Sequence, residues 1–454
     1  MTLLLNLKLA APPVRAGAVG CGYKDETMKR VKNIVLLVST IWLSVLVGGC
    51  NVYDHYSAAE DPDDQDFVTL VLNVGLVSPT RAAADNDREL MHSLRIILLD
   101  AEEGGMVEYN TRLGFNTGAE SLDYHFIRTK PGKKKIFLIA NEEGIASVGG
   151  VTGYSNLTAL LDDLEAQGED GKAGMSSTEA ESRLKEVWFT PGDYSGANGW
   201  IPLSSSYAFE INESELTADN RRVEKTFYLV HAATKFEFEF INNRLSPMRI
   251  DALSISSIAD NMYLMAKFRD TAAEDKKVTW GKGGSTQTAY WIDWLKKVSD
   301  ATNKDSKDPN NEWTNADYGW IKDYVVPDPP IHAEKKLIES GVLISSNQAI
   351  TIPANGGKEI LPVVYFPESK NGGDNQAYYF SIRLKDAING TEGYFENVHL
   401  TNADQSHANL VTLFRNTHVK ITCILGYNEQ DIQLTLQIGI CPWNEGTINI
   451  PPFD

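Results

Sequence analysis

The residue types that could carry out chemistry in this chain are four cysteines, eight histidines and a loop of oxygen donors. The histidines lack metal-ligand spacing, and His92, His231 and His418 each stand alone in a strand-like segment, where a hydrogen-bonded structural histidine is expected. The oxygen donors between Asp300 and Asp308 do not follow the order of an EF-hand calcium loop. The sequence contains no nucleophile elbow, zinc-protease motif or phosphate-binding loop. We therefore predict that the protein is not an enzyme and needs no metal or cofactor.

Cys50 stands at the end of a segment with the pattern of an export signal. Met28–Asn33 is basic, the apolar run Ile34–Val47 follows, and two glycines precede Cys50. A run of this length with a basic flank is a signal peptide and is short for a transmembrane span. Its end resembles the lipobox of bacterial lipoproteins, in which the cysteine thiol accepts a lipid and several acyl chains give stable anchoring. The sequence predicts a leader over residues 1–49, with Met28 as the true start; a plain secretory signal is the alternative.

The charge of the chain argues against a nucleic-acid partner. The formal net charge at pH 7 is -19, and such a chain repels a phosphate backbone. Residues 50–66 are polar and rich in aspartate. This composition favours a flexible tether between a lipid at Cys50 and the folded part of the chain.

The first segment after the tether alternates between apolar and polar residues. A period of two over Phe67–Val77 predicts a strand with one buried face. The residues predicted to face inward are Val68, Leu70, Leu72, Val74 and Leu76. The strand ends at a proline, and Arg81 and Ala82 follow in a loop of small and polar residues.

Short alternating segments separated by turn residues continue along the chain, which predicts an all-β fold of two β-sandwich domains. The predicted domains span residues 67–222 and 223–454, and one long strand, Thr226–Ile241, is expected near their boundary. Two short helices are predicted at Leu157–Glu165 and Ser177–Lys185, the second with Ser177 as its cap. A tryptophan-rich stretch without alternation, about 270–330, is interpreted as a large surface insertion.

Cys423 and Cys441 are the two cysteines that fall in the predicted strands near the end of the chain. Cys423 shares the parity of the apolar residues of its strand, whereas Cys441 has the opposite parity in the next strand. Because residues of opposite parity lie on opposite sheet faces, a disulfide between them is excluded and two free thiols are expected.

The order of these segments resembles the fimbrillins, the subunits of the protease-assembled pili of Bacteroidales. The resemblance covers nearly all of the chain after the leader. It is carried by the lipobox at Cys50, the strand Phe67–Val77, Pro79-Thr80-Arg81-Ala82, Leu94–Asp100, Pro131–Asn141, Tyr228–Phe240, Phe414–Ile421 and Ile432–Trp443. His231 departs from the pattern, since an arginine would be expected at that position.

The resemblance implies a structural subunit of a fimbrium, or pilus, that serves surface adhesion. Its sandwich domains would have the transthyretin-like Greek-key topology. The precursor would be an outer-membrane lipoprotein at the cell surface, and an Arg- or Lys-specific protease would cut between Arg81 and Ala82. The removable first strand, residues 67–81, would then leave, and a strand of another pilin subunit would take its place. The C-terminal segment Thr447–Phe453 is the expected donor.

Other functions agree with the same pattern. The chain could be a surface glycan-binding lipoprotein that uses the tryptophans of the insertion, or a pilus anchor that keeps its lipid and its first strand. The short C-terminal segment also agrees with a tip subunit that donates no strand. Two further alternatives concern single features of the sequence. Phe67–Val77 could be a permanent edge strand of a sandwich, and Arg81 could be an ordinary loop arginine.

Overall fold

The structure is a computed structural model. It describes residues 66–76, 87–145, 147–166, 174–191, 199–217, 220–268, 324–325, 334–370, 378–400, 412–413, 415–426 and 431–442. The predictions for Cys50, Arg81 and Ala82, for the leader and tether, and for nearly all of the insertion fall outside these residues.

The first half of the described chain contains nine strands and both helices. The strands are β1 (Val68–Leu76), β2 (Met91–Asp100), β3 (Val107–Ala119), β4 (Ser121–Thr129), β5 (Gly132–Ala140), β6 (Val148–Gly149), β7 (Trp188–Phe189), β8 (Leu203–Ile211) and β9 (Arg222–His231). The helices are α1 (Leu157–Asp162) and α2 (Ser177–Glu186), and single 3₁₀ turns lie at Asp87–Glu89, Glu142–Gly144 and Glu213–Glu215.

The second half contains the remaining strands. They are β10 (Thr234–Asn242), β11 (Met248–Ser256), β12 (Met262–Tyr263), β13 (Lys267–Phe268), β14 (Tyr324–Val325), β15 (Glu334–Glu339), β16 (Val342–Leu343), β17 (Gln348–Ala349), β18 (Thr351–Ile352), β19 (Gly357–Ile360), β20 (Val364–Phe366), β21 (Ser369–Lys370), β22 (Tyr379–Asp386), β23 (Glu392–His399), β24 (Thr412–Leu413), β25 (Thr417–Leu425) and β26 (Leu434–Pro442). The predicted all-β class is confirmed.

Seven of the nine strands of the first half form one sheet in the order β3-β2-β5-β8-β9-β1-β4, whereas β6 and β7 form a small sheet with β12 of the second half. Strands β8 and β9 share only two register pairs, Leu203 with His231 and Ser204 with Val230. Beyond this narrow join the two parts face each other: side chains of β1, β4 and β9 pack with those of β2 and β5 in one apolar core. The other face of β2 and β5 packs against α1 and α2 in a second core.

The two helices begin where short polar side chains cap them. The Asn156 side chain accepts from the backbone N–H of Ala159, and the Ser176 side chain accepts from that of Glu179. The predicted cap at Ser177 is therefore wrong by one residue. Ser177 already has helical geometry, whereas Ser176 keeps the extended backbone that a capping residue requires.

The two larger sheets of the second half form a sandwich, while β13 pairs with β14 and β21 with β24 in separate two-stranded sheets. One of the larger sheets has the order β19-β10-β25-β26, with β20 also paired to β10, and the other has the order β17-β16-β15-β11-β22-β23, with β18 paired to β11. Phe236, Phe238 and Phe240 of β10 all lie in the core between these sheets. Cys423 of β25 is buried there as a free thiol, as predicted. The register places it opposite Leu436, whereas Cys441 lies opposite His418, five residues away along β25.

The predicted long strand Thr226–Ile241 is wrong, because the chain bends at Ala232 and Ala233. It forms β9 in the sheet of the first half and then β10 in a sheet of the second half. Both alanines are fully buried, and Ala232 N donates to Pro202 O at 2.8 Å. Strand pairing thus changes from one half to the other at this bend, while the division of the chain into domains stays a prediction.

Candidate functional site

β1 lies inside its sheet, with a strand on each side. It pairs antiparallel with β4 and parallel with β9 along nearly its whole length. Both rows of its backbone N–H and C=O groups therefore face a neighbouring strand. An edge strand leaves one of these rows to solvent. β1 is thus an interior strand and not the edge strand that the sequence allowed.

The five side chains that were predicted to face inward are all buried. Their exposed fractions are Val68 2%, Leu70 0%, Leu72 0%, Val74 1% and Leu76 8%. The last four belong to the core that also contains side chains of β2 and β5. Withdrawal of β1 would therefore open an apolar groove between β4 and β9 that runs the length of the strand.

The outer face of β1 carries two features that alternation did not reveal. Val71 is at a position that the alternation places on the polar face of β1, but its side chain is fully buried. Asn73 stands at a register shift in the pairing with β4, where its Oδ1 accepts from the backbone N–H of Tyr124 at 2.9 Å. Its Nδ2 donates to Glu224 of β9 at 2.8 Å. One amide side chain thus connects β1 to both neighbours, and no sequence signal predicted it.

The chain is firmly held where it re-enters the described structure after residues 77–86. The Asn141 side chain donates to Leu90 O at 2.8 Å and accepts from His92 N at 2.8 Å. Asn141 is fully buried and has a left-handed backbone with φ 60°, which asparagine tolerates. β2 therefore has its own attachment to the fold, independent of β1.

Glu89 is the second attachment point after residues 77–86. Its carboxylate is buried and accepts from Tyr365 Oη at 2.9 Å, while Lys235 Nζ lies 2.9 Å away. The Glu89 carbonyl lies 2.9 Å from Nε2 of His231, and His231 Nδ1 lies 3.1 Å from Asn416 Oδ1. These contacts join the first half of the described chain to strands of the second half.

The predicted structural role of His231 has a consequence for pH dependence. Complete burial lowers the pKa of His231 from its usual value, since the charged ring would lose its hydration. Partial burial lowers the pKa of His125 in the same direction. The unfolded chain takes up protons on both rings below about pH 6.5, which the folded chain resists. We expect the free energy of unfolding to fall between pH 7.5 and 5.5, by up to about 1.4 kcal/mol per pH unit for each histidine.

Urea unfolding at the two pH values measures this effect. His231→Gln should reduce the difference between them, and His125→Gln should reduce it further. The interval from pH 7.5 to 5.5 lies above the pH at which paired carboxylates titrate. Glu237 is an example, since its hydrogen bonds to His418 and Lys420 lower its pKa to about 2. Equal pH dependence in wild type and both variants would contradict the assignment.

A second buried polar cluster lies beside the first. The Arg415 guanidinium and the Glu368 carboxylate form an ion pair in which neither side chain has any exposed surface. Arg415 also donates to Leu264 O at 2.9 Å, Tyr263 O at 2.7 Å and Ser204 Oγ at 3.2 Å. Because Ser204 belongs to β8, this cluster connects the sheet of the first half to the sandwich of the second half.

The described residues contain no group of three or more His, Cys, Asp or Glu side chains arranged to hold a metal ion. Among the same residues, no helix is both long and apolar enough to cross a membrane. The candidate site is β1, which is paired on both edges and has its inner side chains in the core.

No family model matches the sequence, and no curated protein matches it. Some solved structures are similar to this chain. The tip fimbrial protein Mfa3 from Porphyromonas gingivalis, with C-terminal truncation, is 12% identical at a TM-score of 0.45, over 83% of this chain and 100% of that one. A fimbrilin (fimA) from P. gingivalis W83 is 12% identical at a TM-score of 0.41, over 83% and 98% of the two chains. A fimbrial assembly protein from Parabacteroides distasonis ATCC 8503 is 9% identical at 0.32, over 82% and 98%.

Fimbrial proteins are thus among the solved structures similar to this chain. Their TM-scores of 0.32 to 0.45 assign no role to any residue of this chain. The roles of residues in β1 and its groove follow from the geometry of this chain alone.

Proposed function

We propose that this protein is a structural subunit of a cell-surface fimbrium and that its subunits join by exchange of β1. The observation that carries the proposal is the position of β1: it is the first strand of the described fold, yet it lies between two other strands with its inner side chains in the core. One connection, residues 77–86, joins it to β2. Cutting that connection leaves β1 without a covalent link to the strands that follow it.

The groove gives the exchange its driving force. Burying five apolar side chains contributes about 1.5–3 kcal/mol each, which is on the order of 10 kcal/mol before entropy costs. Removing β1 also leaves the facing backbone groups of β4 and β9 without partners. An open groove is therefore unstable, and a strand from another subunit that fills it restores both kinds of interaction.

The order of the parts supports cleavage at Arg81. The proposed lipid site at Cys50, the acidic tether, β1 and Arg81 follow one another in the chain. A cut between Arg81 and Ala82 would separate lipid, tether and β1 from the remaining subunit. Asn141 and Glu89 hold the chain that follows the cut, so the subunit keeps β2 in place. The contact between successive subunits is heterologous and does not close, which produces a filament.

Cells grown with a labelled fatty acid provide the test. We expect the wild-type precursor to carry label at Cys50, and the filament protein to start at Ala82 without label. Arg81→Ala should keep the label and form no filaments, whereas Arg88→Ala, a matched change at the next basic residue, should leave cleavage unchanged.

Two results would contradict this proposal. Filaments of Arg81→Ala that equal the wild type in amount would show that cleavage is not required. Wild-type surface protein that starts at Cys50 and retains β1 would favour the anchor or the glycan-binding lipoprotein.

A further inference from the structure

Two arginines flank one residue on the outer face of β1. In the register of the sheet, Thr69 lies directly opposite Arg128 of β4 on one side and Arg222 of β9 on the other. All three side chains are exposed on the same face. We name Arg128, Thr69 and Arg222 the Thr69 row. In the antiparallel pair with β4, opposite side chains are about 4.5–5.5 Å apart at Cβ, and the parallel neighbour β9 lies about 4.7–4.9 Å from β1. A residue at the Thr69 position is therefore in reach of both guanidinium groups.

Aromatic rings position these guanidinium groups along β1. Arg128 Cζ lies 4.0 Å from the centroid of the Phe67 ring, and Arg222 Cζ lies 5.7 Å from that of Phe126. A guanidinium that packs its plane on a ring can donate N–H bonds at its edge at the same time. Two cations therefore stand on either side of a neutral threonine, in a chain whose net charge is -19.

We propose that the Thr69 row receives an acidic residue of the strand that replaces β1, and that this residue is Glu445 of a second copy of the chain. This inference rests on the proposed strand exchange and specifies its register. The C-terminal segment after β26 reads Trp443-Asn444-Glu445-Gly446-Thr447-Ile448-Asn449-Ile450. When this segment runs in the direction of β1 with Ile448 at the Leu72 position, Ile450 takes the Val74 position and Glu445 takes the Thr69 position.

Charge distinguishes this register from its neighbours. A shift of the donor by two residues toward the C-terminal end of β1 places Glu445 at the Val71 position, which lies opposite Glu224 of β9. Like charges directly opposite each other are destabilising. A shift in the other direction places Glu445 at the Phe67 position, beside Arg128 and Lys130 but away from Arg222, and the row would again hold a threonine, Thr447. Only the register with Glu445 in the row places a carboxylate between both arginines and the isoleucines in the groove.

The proposed donor buries fewer apolar atoms than β1 but carries a charge that β1 lacks at the Thr69 position. In the proposed register Gly446 takes the Leu70 position, so the donor fills less of the apolar groove than β1 does. The carboxylate of Glu445 supplies what Thr69 cannot, a charge-assisted contact with each arginine. The row thereby selects the donor by charge and fixes its register.

The proposal is tested by reversing the charge on each side of the contact. The protein used is the full chain without its lipid, residues 51–454, after cleavage at Arg81. Glu445→Lys alone and Arg222→Glu alone should each lower the rate of filament formation, measured by light scattering, by about tenfold. The double variant should recover most of the wild-type rate, because the pair is restored with opposite signs. Asp454→Lys makes the same change of charge outside the row and should have little effect.

Single variants that assemble at the wild-type rate, or a double variant no faster than the singles, would overturn the proposal while leaving strand exchange intact. Absence of filaments from the cleaved wild-type chain would instead contradict the proposed function. Thr69→Glu in the uncleaved chain gives a measurement that needs no assembly. It should raise the urea midpoint above that of Thr69→Gln and slow exchange after cleavage, and a lower midpoint would overturn the proposal.

Discussion

A disulfide between positions 71 and 126 should hold β1 in its groove after cleavage and abolish filament formation. Val71 of β1 and Phe126 of β4 are directly opposite each other in an antiparallel pair. The Cα atoms of such pairs are about 4.5–5.5 Å apart, within the range that a disulfide spans. In Val71→Cys/Phe126→Cys, oxidised and cut after Arg81, β1 would remain attached although its connection to β2 is broken.

Light scattering and electron microscopy of the cleaved protein measure the result. The oxidised double variant should stay monomeric, and addition of a reductant should restore assembly in the same sample. Val71→Cys alone, which cannot form the cross-link to β4, serves as the matched control and should assemble with or without reductant. Filaments from the oxidised, fully cross-linked protein would show that β1 does not have to leave.

The same geometry explains why the precursor would remain a monomer before cleavage. β1 leaves only if two ladders of hydrogen bonds and its core contacts are lost together, since it is paired on both edges. While residues 77–86 are intact, β1 also returns to the groove faster than a strand from solution, because its effective concentration is high. Cleavage removes this advantage without altering a single contact of the groove. Under the proposed exchange, the switch from monomer to subunit would therefore be kinetic at first and would become irreversible when the released strand diffuses away.

The inner face of β1 could be predicted from the sequence because period-two alternation is a local property. Val68, Leu70, Leu72, Val74 and Leu76 are buried as their parity indicates. The neighbours of β1 could not be predicted in this way. β4 lies some fifty residues further along the chain and β9 about 150, and no pattern within β1 specifies either pairing. Alternation therefore predicted a strand with a buried face but left open whether it was at an edge.

Other features of the site escaped prediction for related reasons. Val71 is buried on the outer face of β1, between Phe126 of β4 and Glu224 of β9 in the register, so its parity was misleading. Arg415 and Glu368 stand 47 residues apart, and each looks like an ordinary surface residue in the sequence. The predictions for Cys50, Arg81 and Ala82 depend on recognition by other proteins and stay predictions.

Removal of one partner of the buried Arg415–Glu368 ion pair should destabilise the fold far more than removal of one partner of an exposed ion pair. Neither side chain has exposed surface, and Arg415 also donates to three further oxygens. Glu368→Ala leaves a guanidinium buried without its counter-charge, which costs about 3–5 kcal/mol in comparable cases. Replacing both residues by methionine should cost much less, because no charge is then left in the interior.

Urea unfolding at pH 7.5, followed by fluorescence and circular dichroism together, measures both effects. Because Arg415 contacts Ser204 of β8 while its own segment leads into β25, the cluster couples the two halves of the described chain. Glu368→Ala should therefore separate one cooperative transition into two. The exposed pair of Lys358 with Glu239 provides the control, since Lys358→Ala should change stability by no more than about 1 kcal/mol. A loss for Glu368→Ala as small as that of the control would show that the cluster does not connect the two halves.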